Sequence, residues 1–400
     1  MSAAATLRST AEIRARSQHL LTRARDGSSA WFTVHEDAMD AAAAAVADLT
    51  VTRFPDLVIP FHSRWRHFEA GGVHRTLALD GTDAAARARA MIDLTVISVL
   101  LDAGAGPRWR YREADTGLEL TRSEGLGVAS WHAFTAGTFS SDPECPLQAD
   151  AAGLQTLDPE RLAAHLQVVP DNPLVGFDGR VDLLRRLGTA LAEQPTVYGT
   201  PGRPGGLFDL LIVDPAAPTV ATHDILSALL SSLSRIWLAD NHIDGEPLGD
   251  CWRHDAVPGV GATAGWMPFH KLSQWLTYSL LEPFGWAGVQ VNGLDALTGL
   301  PEYRNGGLFL DTGVLRLREA GWAERAWTPA DELVVEWRAL TVALLDDLAV
   351  LVRERLGVSA QALPLACVLE GGSWAAGRAL AQELRGGLPP LTVISDGTVF

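Results

Sequence analysis

Thr328-Pro-Ala-Asp331-Glu-Leu-Val-Val-Glu-Trp-Arg-Ala-Leu340-Thr-Val-Ala-Leu-Leu-Asp-Asp-Leu-Ala-Val-Leu-Val352-Arg-Glu-Arg-Leu356 is the stretch whose reading decides the fold. Its apolar residues recur at helical spacing, which predicts a helix over Pro329–Leu356. Thr328 and Pro329 read as a cap and a first-turn proline, and Asp331 and Glu332 place negative charge where the helix dipole favours it. Asp346 and Asp347 interrupt the apolar run Leu340–Val352, so this is a core helix and not a membrane span.

Working outward, helical patterns occupy about Ala4–Ala24, His35–Asp48, Asp83–Asp102, Ser123–Gly137, Asp178–Ala192, Thr222–Leu238, His270–Leu281 and Ser373–Leu384. Thr82-Asp83 supplies a start signal for the third of these. Strand-like alternation is confined to Leu308–Leu317, Leu363–Leu369 and Leu391–Ile394, too little for a doubly wound sheet. The fold class read from this pattern is mainly α, with a few short β elements. No composition shift marks a boundary, so a single large helical domain over 1–400 is expected. Ile236–Gly313 is irregular and rich in Trp, Gly, Asp and His, the character of a segment that lines a site.

The chain has 400 residues, 47% of them apolar and 20% charged, which excludes wholesale disorder. Its net charge of −16 argues against reliance on phosphate-backbone attraction, so no nucleic-acid partner is expected. Cys145, Cys251 and Cys367 are too scattered for a disulfide framework, and Arg8, Arg14 and Arg16 leave no apolar leader. A cytoplasmic protein without a membrane partner is the expectation. Of the 32 basic residues only Lys271 is lysine. A compact ammonium differs chemically from a guanidinium, and this lone exception marks a position of interest.

Four constellations could carry chemistry. Phe61-His-Ser-Arg-Trp-Arg-His-Phe-Glu-Ala-Gly-Gly-Val-His-Arg75 packs Arg64, Arg66, Arg75, His62, His67 and His74 among rings, a composition suited to a phosphate or carboxylate. A basic loop anchored by Trp65 and Phe68 would look the same. Trp237-Leu-Ala-Asp-Asn-His-Ile-Asp-Gly-Glu-Pro-Leu-Gly-Asp-Cys-Trp-Arg-His254 gathers Asp240, His242, Asp250, Cys251 and His254. Its spacing is poor for a metal, and a carboxylate contacting a polar substrate fits better. Gly265-Trp-Met-Pro-Phe-His-Lys-Leu-Ser-Gln-Trp-Leu-Thr-Tyr-Ser279 puts Lys271, Gln274 and Tyr278 on one helix face beside His270. Leu297-Thr-Gly-Leu-Pro-Glu-Tyr-Arg-Asn-Gly-Gly-Leu-Phe-Leu-Asp311 holds Glu302, Tyr303, Arg304 and Asn305 as a short polar burst, with a carboxylate beside a guanidinium that can keep it ionised. Of two glycine loops, Gly202–Gly206 reads as a helix entry, and Glu370-Gly-Gly-Ser373 could present backbone N–H groups to an anion. No Walker or complete dinucleotide pattern, nucleophile elbow or cysteine nucleophile signature occurs.

Ser63–Gly72, Pro268–Thr277, Leu297–Gly307 and the terminal Ser395-Asp-Gly-Thr-Val-Phe400 together resemble the uracil-catabolism protein four family of the URC pathway, over essentially the whole chain. More distantly, Lys271-x-x-Gln274 followed by Leu297-Thr and Glu302-Tyr-Arg304 is similar to the Lys-x-x-Gln and acidic-Tyr-Arg pattern of queuosine-nucleotide glycosylases, although Glu302 stands where that pattern has Asp. The second likeness implies a fold of the helix-hairpin-helix DNA-glycosylase type and work on a glycosidic bond. The first implies a role in breaking uracil down after it becomes a nucleotide and its ring is opened.

The expected reaction is hydrolysis of the N-glycosidic bond of ribosylurea 5-phosphate to urea and ribose 5-phosphate. An oxocarbenium-like transition state calls for a carboxylate, assigned to Glu302, with Asp250 or Asp240 contacting the leaving group. Lys271, His270, Arg64 and His67 are candidates for the phosphate and sugar hydroxyls, with Gln274, Tyr278, Tyr303 and Arg304 completing the wall. The partner is thus a phosphorylated ribosyl small molecule, and the scheme uses no cofactor and no metal. Two other classes fit the same residues: a metal-assisted amidohydrolase cutting a urea C–N bond, and a non-catalytic binding protein of the pathway.

Overall fold

The structure, a computed structural model, describes residues 2–79 and 83–394. The longer helices in chain order are α1 (Thr10–Arg25), α2 (Met39–Arg53), α3 (Ala84–Leu101), α4 (Arg122–Thr135), α5 (Phe177–Ala192), α6 (Thr222–Leu233), α7 (Lys271–Trp286), α8 (Tyr303–Asp311), α9 (Glu332–Leu356) and α10 (Trp374–Arg385). Strands are two or three residues long and pair only two at a time among the described residues. The protein is mainly α, as the sequence pattern implies. The terminal Ser395–Phe400, one of the quoted family strings, and Thr82 lie outside the described residues. Asp83 does cap α3, accepting from Ala85 N and Ala86 N at 3.0 Å.

The chain divides into two compact units. The first comprises residues 2–62, Asn241–Gln274 and Leu294–Ile394. At its centre runs α9, buried from Leu333 to Leu345 on every face. It packs against α1 and α2. A helix buried on every face is a core element, here with Glu336 and Arg338 taken into the interior as well. Its start differs from the sequence expectation. The helix begins at Glu332 with Asp331 in the extended N-cap conformation. Asp331 Oδ2 accepts from Thr328 N at 2.6 Å and Thr328 Oγ1 at 2.9 Å, so Pro329 sits in a turn ahead of the helix.

Two expected strands are corrected. Leu308 belongs to α8, and only Leu315–Leu317 is extended, pairing with Phe32–Val34. Leu363–Leu369 leads into a helix over Leu365–Val368. In both places a short apolar run satisfied the strand period by chance, and helix caps overrode it. Glu370-Gly-Gly-Ser373 is corrected as well. Leu369–Ser373 is a π-helical turn between Leu365–Val368 and α10, with no open helix N-terminus to receive an anion. A Cβ on Gly372 would collide with the Val46 carbonyl, and one on Gly377 with that of Arg304. Only glycine permits α10 to meet α8 so closely.

The second unit comprises Ser63–Asp240 and Trp275–Gly293. Its centre is α3, buried without interruption from Met91 to Leu101, with α4 and α5 against it. Buried Arg180 on α5 closes the carboxyl end of α3, donating to the carbonyls of Leu101 at 2.8 Å and Gly104 at 3.2 Å. Those carbonyls have no partner within the helix, and a guanidinium suits the negative dipole end. Gly206 does begin a short helix, Gly206–Leu211, as a helix entry should. The two units share α7, whose first turn, Lys271–Gln274, belongs to the first and the remainder to the second.

Candidate functional site

The site is built on how α7 begins. Cys251–Arg253 pairs antiparallel with Trp266–Pro268, matching Cys251 with Pro268. The chain after Pro268 therefore wraps around Asp250. Its carbonyl accepts from Phe269 N at 2.9 Å and His270 N at 3.3 Å, and its carboxylate accepts from Lys271 N at 3.0 Å. His270 takes a left-handed conformation, φ 48°, to make this turn. A non-glycine residue there is strained and persists because its surroundings fix it.

Asp250 spends all its acceptor capacity internally. Arg338 Nη1 and Nη2 bind its two oxygens at 2.8 Å each, and Trp252 Nε1 donates at 2.7 Å. Burial pushes the carboxyl up, but Arg338, the Lys271 N–H and the indole outweigh it and bring it down to about 2. A carboxylate so firmly ionised is a structural cap and a poor proton donor near neutrality.

Glu302 is the N-cap of α8, its two oxygens accepting from Asn305 N and Arg304 N at 2.6 Å each. Burial raises its pKa, opposed by those two N–H groups and by the charges of Lys271 and Arg304. Both Lys271 and Glu302 are half-buried. The lone lysine and the candidate carboxylate thus stand within electrostatic reach, each at the amino end of a helix.

Three buried side chains hold the loop over residues 297–301 that leads into α8. Gln274 donates from Nε2 to the Phe269 carbonyl at 3.0 Å and to Thr298 Oγ1 at 2.7 Å, and accepts from Thr298 N at 2.9 Å. Asn305 Nδ2 donates to the Leu300 carbonyl at 3.1 Å, and Arg338 Nε donates to the Pro301 carbonyl at 3.3 Å. Leaving any of these polar atoms unpaired in the interior would cost roughly 1–3 kcal/mol.

The remaining candidates sort by unit. In the first, His270 is buried and its Nε2–H donates to the Leu7 carbonyl at 3.0 Å, with Cys251 Sγ 3.5 Å away. Arg304 lies 4.6 Å over the Tyr303 ring and donates to the Gly387 carbonyl. Tyr303 is half-buried beside Glu302. His254 pairs with Glu336 at 3.0 Å, and Glu336 also accepts from Ser29. Among the described residues no three His, Cys, Asp or Glu side chains are grouped to hold a metal ion.

In the second unit, Arg64 is fully buried, donating to Asp102 at 2.6 Å and Ser98 Oγ at 2.7 Å. His67 Nδ1 lies 3.3 Å from Arg64 Nη1, and both residues flank the Trp275 ring. Arg66 binds Glu282 at 2.6 Å, and Arg75 is paired with Glu113. Tyr278 is completely buried, and Asp240 is exposed.

Sequence reasoning missed Arg338 and Trp252. The available signal for Arg338 was a guanidinium flanked by apolar residues in the helix read as the core, a position that demands a buried partner.

Comparison with known proteins covers nearly the whole chain. The family model described as "Protein of unknown function (DUF1688)" matches residues 6–400. Protein urg3 of Schizosaccharomyces pombe is 39% identical over 409 residues, spanning 99% of this chain and 98% of that protein. Uracil catabolism protein 4 of Lachancea kluyveri is 39% identical over 377 residues, spanning 86% of this chain and 85% of its own length. Among the described residues no helix is long and apolar enough to cross a membrane.

Proposed function

The chain belongs to the DUF1688 family, with urg3 and uracil catabolism protein 4 among its relatives, and from that membership we propose that it acts in uracil catabolism as an N-ribosyl hydrolase. The substrate is a ribosylurea 5-phosphate. Water adds to the anomeric carbon, the carbon–nitrogen bond breaks, and urea leaves with ribose 5-phosphate as the second product.

The observation that supports this reading is that Lys271 and Glu302 stand at two helix starts within electrostatic reach of one another. Positive charge develops on the sugar ring in the transition state, and the Glu302 carboxylate stabilises it, orients the water and takes the proton the water loses as it adds. Two backbone N–H bonds and the nearby ammonium favour the ionised form that this role needs. Lys271 meets the oxygens of the sugar phosphate and supplies the proton taken up by the leaving nitrogen. Asp250 orients Lys271 through its backbone N–H and does not touch substrate in this scheme. Tyr303 forms a wall of the site.

The test is incubation of purified protein with ribosylurea 5-phosphate, followed by mass spectrometry, with UMP and queuosine phosphate as controls. Equimolar urea and ribose 5-phosphate are expected. Ammonia in place of urea moves the bond cut and overturns the glycosidic reading, and binding without turnover overturns the enzyme reading.

A further inference from the structure

The guanidinium of Arg338 distributes its three kinds of nitrogen in an unusual way. Nη1 and Nη2 each reach one oxygen of Asp250 at 2.8 Å, and Nε reaches the Pro301 carbonyl at 3.3 Å. Asp250 is the carboxylate that caps Lys271 N, and Pro301 is the residue immediately before Glu302. One rigid planar group therefore connects to both helix starts that carry the candidate chemistry. Its face rests on the Phe269 ring with Cζ 4.0 Å from the centroid, and it is 1% exposed.

We propose that Arg338 is a positioning residue that sets the separation of Lys271 and Glu302, and this inference rests on the reading of those two residues given above. A buried ion pair is a poor device for stability alone, because apolar side chains of similar volume usually serve as well. A planar fork with fixed donor directions is a good device for geometry. Arg338 meets two segments far apart in sequence, and Asn305 and Gln274 restrain the loop between them. Neither helix start can then drift without breaking a charge-assisted bond.

Arg338→Lys separates this role from a merely structural one. Lysine keeps the charge but cannot bind both carboxylate oxygens and the Pro301 carbonyl together. Catalytic geometry is sensitive to shifts of about 1 Å, so kcat for urea release is expected to fall on the order of 100-fold, with KM changed by less than about 3-fold. The groups that face Glu302 are Lys271, Arg304 and the two N–H donors of α8. If Lys271 recedes, the Glu302 carboxyl titrates at higher pH than in the native protein. That shift is read directly by NMR of 13C-labelled glutamate, without turnover.

A native protein that releases no urea overturns the reaction, and the NMR titration still decides the positioning. An unchanged titration in folded Arg338→Lys overturns the inference, whatever happens to melting temperature. Should Arg338→Lys fail to fold, Phe269→Leu removes the ring beneath the guanidinium and leaves its hydrogen-bonding partners. A smaller titration shift in the same direction supports the role of Arg338, and a native titration overturns it.

Discussion

The hydroxyl of Ser373 donates to Asn305 Oδ1 at 2.9 Å, and both residues are fully buried. The bond ties a π-helical turn to the first turn of α8, since Asn305 N also donates to Glu302. Such turns often occur where a side chain must be held at a set place. Ser373→Ala strips the donor from a buried amide oxygen and should destabilise the protein by roughly 1–3 kcal/mol. Urea denaturation monitored by tryptophan fluorescence measures this. A lower midpoint with unchanged slope is the expected result, and a native midpoint shows that Asn305 does not depend on the hydroxyl.

Glu302→Gln should separate stability from activity. Burial raises the Glu302 pKa, so the ionised form is disfavoured on folding and weighs against stability at neutral pH. A neutral amide removes that burden at the expense of one cap contact. The variant should melt at or above the native temperature while kcat falls about 100- to 1000-fold, the scale for loss of a group stabilising transition-state charge. Substrate affinity should be retained. Normal turnover removes Glu302 from the mechanism.

Much of the helical frame was legible because its signals are local. The pattern over Asp178–Ala192 corresponds to Phe177–Ala192, and His270–Leu281 lies within Lys271–Trp286 apart from its left-handed first residue. Lys271 and Glu302 also stood out locally, one as the lone lysine and the other as the first residue of a short polar burst. What the sequence hid is long-range pairing. Arg338 and Asp250 are separated by 88 positions, and nothing near either residue names the other. The Arg-rich stretch at Ser63–Arg75 shows the converse. Its guanidiniums looked available for an anion, yet Arg64, Arg66 and Arg75 each meet a carboxylate contributed from elsewhere in the second unit.

Asp250 makes a prediction with a defined pH window. Its folded pKa is about 2 against an ordinary 3.8, so ionisation contributes about 2 kcal/mol of stability. Because the folded value is depressed, that contribution is complete above the unfolded value and is lost as pH falls from about 4 through about 2. Asp250→Asn leaves Arg338 charged and buried without a counter-ion, at a cost of roughly 3–5 kcal/mol near neutrality. Melting curves across pH should show the gap between native and variant narrowing by about 2 kcal/mol as pH falls from about 4 to about 2, because the unfolded native chain takes up a proton at Asp250 over that range while the folded one still resists it. A gap that stays constant to pH 2 means that the Asp250–Arg338 charge pair does not contribute as the geometry implies.

Lys271 offers the sharpest test of the site because charge and shape can be changed separately. Its ammonium lowers the Glu302 pKa against the upward push of burial. Lys271→Met removes that help, so Glu302 should titrate at higher pH and the acid limb of the kcat/KM profile should move up with it. Lys271→Arg restores a positive charge and should return the limb toward its native position. Its rate should nevertheless remain at least ~10-fold low, because a broad guanidinium with a very high pKa is a poor proton donor to a leaving nitrogen. The pair of profiles is decisive. An acid limb that ignores the loss of the ammonium means that Glu302 is not the group being titrated, and a fully active arginine variant means that Lys271 serves only as a positive charge.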